Sequence, residues 1–116
     1  MEFLRRNALK FLEEAEEAFS KGDYGFTMLF VEQFFQLSLK YILYKRYGEF
    51  PKTHSLKLLF ELTRSSDLAD YYRRNLDLLR EIELSYIAAR YMDVEYSRRV
   101  AEEALALARD FRRKFL

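Results

Sequence analysis

The feature that most limits what this chain can fold into is the stretch from Tyr24 to Tyr47. Helical spacing spreads Phe26, Met28, Leu29, Phe30, Val31, Phe34, Phe35, Leu37, Leu39, Tyr41, Ile42, Leu43 and Tyr44 over most of its circumference. A helix that is apolar nearly all round is buried on several sides. In so short a chain, a second copy of the protein is one way to bury one of them. The exception is a narrow polar strip of Glu32, Gln33, Gln36 and Lys40, in which Glu32, Gln36 and Lys40 stack along one line. The strip reads either as a solvated stripe or as one wall of a polar groove.

Both ends of that stretch are punctuated. Gly22 stands where a left-handed cap closes a preceding helix, and Asp23 is a good N-cap for the next. Gly48 ends the stretch and Pro51 forbids its continuation. Upstream, Leu4, Ala8, Phe11, Leu12, Ala15, Ala18 and Phe19 predict a helix from about Glu2 to Lys21. Downstream, Thr53 or Ser55 caps a short helix of about Leu56 to Ser65, and Asp67 to Arg74 is a single helical turn or a loop. A further helix spans about Asn75 to Arg90, with Leu76, Leu79, Ile82, Tyr86 and Ala89 inward. Met92 to Val94 is a bend capped by Asp93, and the last helix runs to about Phe115 with Tyr96 starting its inward face. No strand-like alternation appears. The expected fold is all-α, an up-and-down antiparallel bundle of four to five helices forming a single domain over residues 1–116.

Composition removes several chemistries. There is no cysteine, hence no disulfide, thiolate nucleophile or thiolate metal site, and a single histidine excludes a His-pair metal motif. No metal and no cofactor are expected. The net charge of +1 gives no global field to attract nucleic acid. No apolar run is long enough for a membrane span and the N-terminus turns charged by Arg5, so a cytoplasmic protein without membrane contact is expected. Scarce Asn and Gln beside plentiful Arg and Glu hint at a thermophilic source. The basic tail of Arg109, Arg112, Arg113 and Lys114 complements a helix C-terminus, with phosphate binding as the alternative.

The junction from Tyr86 to Tyr96 is the main candidate site. Helix junctions are usually small and polar, but this one holds Tyr86, Arg90, Tyr91 and Tyr96 with Asp93 and Glu95. Helical phase turns Glu83, Tyr86 and Arg90 to one side and brings Tyr96 to meet them across the bend, with Glu83 placed to pair with Arg90. His54, in the cap before the short helix, reads as a packing residue or, less simply, as an acid–base group.

Several short pieces occur in an order that resembles the HEPN domain (higher eukaryote and prokaryote nucleotide-binding). They are Ala15 to Tyr24, then Glu32-Gln33 with Leu39-Lys40, then His54-Ser55-Leu56, then Tyr86-Ile87 with Ala89-Arg90-Tyr91. The resemblance implies a helical bundle, usually a homodimer, often encoded beside a minimal nucleotidyltransferase as a toxin–antitoxin-like pair. Many members are metal-independent ribonucleases whose motif is an arginine followed, four to six residues on, by a histidine. Arg90 matches that arginine, but Glu95 to Ser97 holds no histidine, and Tyr96 stands in its place. A tyrosine is a poor general base at neutral pH but a good donor to phosphate.

Three functions follow from this. The first is a non-catalytic module that binds a nucleotide or RNA phosphate around Arg90, Tyr91 and Tyr96, with Tyr86, Glu83, Lys40 and His54 alongside. The second is an endoribonuclease using Arg90 with Tyr96 or His54, which requires the fold to bring His54 beside Arg90 if the histidine is to act. The third is a dimeric scaffold whose tyrosine corner only packs.

Overall fold

The computed structural model describes residues 1–116 as six helices: α1 (Glu2–Ser20), α2 (Tyr24–Tyr47), α3 (Leu56–Leu62), α4 (Ser66–Arg74), α5 (Leu76–Tyr91) and α6 (Arg98–Phe115). The chain is all-helical, and the expected count of four to five is corrected to six. The addition is α4, where a turn or loop is expected. Arg64 adopts a left-handed φ of 53° that breaks the chain after α3. The Ser65 hydroxyl then accepts the Leu68 N–H at 3.3 Å and caps a new start.

The limits of α2 follow from its flanking residues. The Asp23 carboxylate accepts the Phe26 N–H at 3.2 Å. Gly48 closes the helix with a φ of +78°, a left-handed conformation that glycine adopts without a Cβ clash.

The long helices lie antiparallel, as the order of their contacts shows. From one end of α1 to the other, Glu2 accepts from the Tyr41 hydroxyl, Phe11 stacks on Phe30 at 6.1 Å and Phe19 meets Tyr24 at 5.6 Å. Along α6, Arg98 lies over Phe19 and Arg109 bonds Glu16, so α6 also runs against α1. The aromatic centre of the core is Phe111 of α6, within 6.2 Å of Phe34, Phe35, Phe60, Tyr71 and Phe115. Tyr71 is buried there with its hydroxyl donating to the Leu107 carbonyl at 3.0 Å.

Three local expectations are corrected. The polar strip of α2 is no solvated stripe, because Glu32 and Gln36 are buried and Gln33 and Lys40 half-buried. The buried line of α5 is Leu79, Ile82, Ser85 and Ala88, while Leu76 is exposed and Tyr86 and Ala89 sit at the edge. Ser85 is small and returns its hydroxyl to the Ile82 carbonyl at 2.6 Å, so it fits inward where the bulkier Tyr86 stays at the rim. The last helix starts four residues later than Asp93 would set it: Ser97 is the cap, accepting the Val100 N–H at 3.1 Å. Tyr96 therefore lies in the non-helical connector before α6 and not on the helix. No helix is long and apolar enough to cross a membrane.

Candidate functional site

The site is built around Tyr86, on the rim of α5. The Arg90 guanidinium lies 4.1 Å from the centre of the Tyr86 ring and 4.8 Å from that of Tyr91. One turn of helix separates Arg90 from Tyr86, so the guanidinium folds back and donates from Nε to the Tyr86 carbonyl at 2.7 Å. Such stacking on exposed rings contributes about 0.5–1 kcal/mol, enough to bias the orientation of a long side chain. No carboxylate pairs with Arg90, which is exposed. Its Nη groups are left to take an acceptor from outside.

His54 reaches the same tyrosine from the segment before α3. Its imidazole stacks on Tyr86 at 5.6 Å with the planes 20° apart, and it is exposed. Imidazole and guanidinium are thus separated by no more than these two ring distances laid end to end. Spacing along the chain placed His54 far from Arg90; the fold makes them neighbours through Tyr86.

A buried polar knot on α2 fixes that segment. Gln36 donates from Nε2 both to Glu32, at 2.9 Å, and to the His54 carbonyl. Gln33 donates to the other oxygen of Glu32 at 2.8 Å. Burial pushes the Glu32 carboxyl up to about 7, opposed by the Gln36 and Gln33 amides, with nearby Glu83 adding to the rise and Lys40 opposing it. Burial likewise lowers Lys40, and Glu32 opposes that shift.

The other expected members of the site are dispersed. Glu83 does not pair with Arg90; its carboxylate accepts the Leu56 N–H at 3.2 Å, the nearer unsatisfied group at the start of α3. Lys40 stands 5.9 Å from the Phe50 ring, on the α2 side of the knot. Tyr91 is almost wholly exposed. Tyr96 neither bonds nor stacks on Arg90. It lines a separate cleft of about 440 Å³ beside the α1–α2 turn, with Asp23, Tyr24 and Ala89. Burial, and then Glu81, raise its hydroxyl above the ordinary tyrosine value, so it is still less available as a base at neutral pH. The basic tail is largely paired: Arg109 with Glu16, and Arg113 and Lys114 with Asp110. No group of three His, Cys, Asp or Glu side chains stands ready to hold a metal ion.

The sequence gives no signal for the Gln36 tether or for the carbonyl it holds. A glutamine directed inward from an otherwise apolar helix is the only hint of it.

The fold is an all-helical bundle of six helices, with an unpaired arginine stacked on a tyrosine at the end of the fifth. The HEPN domain model matches residues 1–116, the whole chain, and the protein belongs to the HEPN family. Comparisons with curated proteins and with solved structures give no match.

Proposed function

We propose that this protein is a non-catalytic HEPN module that binds a nucleotide or an RNA phosphate at the Arg90 corner. The observation that carries the reading is Arg90 itself: exposed, held between Tyr86 and Tyr91, and without a carboxylate partner. A guanidinium so placed offers charge-assisted bonds to a phosphate, and the rings beside it offer faces to a base. Tyr91 and His54 flank the corner. Tyr96, Glu83 and Lys40 lie outside it.

The module acts in the cytoplasm as a homodimer alongside a nucleotidyltransferase, in the manner of a toxin–antitoxin pair. Support for a dimer comes from the outer face of α5 and the connector after it, where Ile87, Tyr91 and Met92 are all left exposed. Apolar side chains in such a run mark an interaction surface more often than bare solvent-facing helix. Sedimentation at several protein concentrations tests this, and a monomer throughout rejects it.

Calorimetry with ATP, AMP and short RNA, on the parent and on Arg90→Ala, tests the binding. Loss of a charge-assisted bond weakens binding by roughly tenfold or more. Indistinguishable isotherms remove the reading.

One observation favours a second reading, an endoribonuclease. His54 and Arg90 share the face-lined corner of Tyr86, and an imidazole near a guanidinium is the pair that proton transfer and phosphorane stabilisation require. Under this reading RNA cleavage by the purified protein disappears in both His54→Ala and Arg90→Ala. Cleavage that survives either substitution excludes the pair as the catalyst.

A further inference from the structure

Away from the Arg90 corner, α3, α4 and α5 enclose an open cleft of about 730 Å³. That volume lies in the range of small-molecule sites. Its floor is the half-buried ring of Tyr72, which rests on the fully buried Phe60 at 5.1 Å and 49°. Leu76 and Leu84 continue the apolar surface and are left exposed along it.

Three cations line the cleft, Lys57, Arg73 and Arg80. Arg73 is bound to Asp70. Lys57 and Arg80 enter none of the protein's ion pairs, and they come from different helices, α3 and α5. Two carboxylates also line it. Glu83 uses one oxygen on the Leu56 N–H and has the other without a hydrogen bond, and Glu61 is exposed. Lys57 and Arg80 can hold one acidic group between them, while Glu61 and Glu83 repel an occupant that carries several. An occupant is therefore favoured if it carries a single acidic group, and disfavoured if it is highly charged.

We propose that this cleft is a second ligand site, for a flat aminated heteroaromatic ring joined to one acidic group. The ring lies over Tyr72, the acid is held between Lys57 and Arg80, and the ring amino group donates to the free oxygen of Glu83. Aminated nucleoside monophosphates have this chemistry, either free or as the terminal residue of a strand. The site does not depend on the Arg90 reading, since Arg90, Tyr86 and His54 are not among its lining residues.

The test is amide and side-chain chemical-shift mapping on the full chain, titrated with AMP, ATP, adenosine, ribose 5-phosphate and inorganic phosphate. AMP is expected to shift Tyr72, Arg80 and Leu84 and to bind more tightly than the other four. Arg80→Ala and Lys57→Ala, both at exposed positions, each weaken AMP by roughly tenfold for a lost charge-assisted bond. Tyr72→Phe keeps the ring and the affinity for it. In Arg90→Ala the cleft shifts persist, which separates failure of this site from failure of the corner. A 5′-phosphorylated dinucleotide that binds more tightly than AMP assigns the strand end, and one that binds more weakly assigns the free nucleotide. The proposal is overturned if ATP or inorganic phosphate shifts the cleft residues with an affinity equal to that of AMP. It is overturned equally if the shifts map elsewhere, or if neither Arg80→Ala nor Lys57→Ala changes them.

Discussion

Replacing Glu32 by Gln asks whether the buried knot on α2 makes stability depend on pH. The carboxyl is fully buried, and burial moves it from 4.5 up to about 7 against the pull of two amides. In the unfolded chain the same group titrates near its ordinary value. Between roughly pH 4.5 and 7 the folded state therefore keeps a proton that the unfolded state has lost. The contribution to stability is complete below the unfolded value and is lost as pH rises through about 7. The distance between the two values corresponds to about 3 kcal/mol by pH 8. Glu32→Gln preserves the shape and one of the two accepted hydrogen bonds while removing the titration. Urea unfolding of parent and variant at one protein concentration, from pH 4.5 to about 8, isolates this group, because all other titrations cancel in the difference. The variant is expected to gain on the parent by about 3 kcal/mol across that range, with the gain concentrated below pH 7. A difference that stays constant within about 0.5 kcal/mol refutes the reasoning, since it means Glu32 is ionised and hydrated in the folded protein.

Further substitutions probe the packing. Phe111→Ala empties the centre of the ring cluster and is expected to cost about 3–5 kcal/mol by denaturant unfolding. Tyr71→Phe removes the buried bond to the Leu107 carbonyl and costs about 1 kcal/mol in the same measurement. Gly48→Ala forces a Cβ into a φ of +78° and costs about 1 kcal/mol or more, although no neighbouring atom obstructs it. In all three cases a value below a few tenths of a kcal/mol contradicts the contact invoked.

What the sequence revealed of the fold was local chemistry with one plausible solution. Asp23 and Gly48 are the residues a helix needs at its two ends, and α2 runs between them as read. Where two solutions competed, reading failed. Asp93 and Ser97 are both acceptable caps. Choosing Ser97 leaves Tyr96 on an extended connector, from which it reaches the α1–α2 turn. Likewise the three-residue step from Leu79 to Ala88 and a four-residue step through Tyr86 are both compatible with the spacing on α5. Packing uses parts of both: Leu79 to Ala88 is the buried line, and Ala89 still meets α2, its Cβ 3.8 Å from where a Cβ on Gly25 would stand. That close approach belongs to tertiary packing and has no trace in the periodicity of α5 alone.

The site was legible in its arginine and not in its histidine, and the reason is the same kind of physics. Arg90 and Tyr86 are four residues apart on one helix, so their contact follows from helical geometry. His54 arrives from a capping segment whose path is set by Gln36, eighteen residues earlier on another helix, through one bond to the His54 carbonyl. Gln36 holds that position because its amide is also bound to Glu32, and its own Oε1 is buried without a partner. An inward amide with an unmatched oxygen is costly unless its two N–H bonds matter to the fold. The polar strip that reads as a solvated stripe or a groove wall is thus what aligns His54 with Tyr86. His54 is consequently held from the core outward, and the Arg90 corner inherits part of its geometry from the one polar line on the most apolar helix.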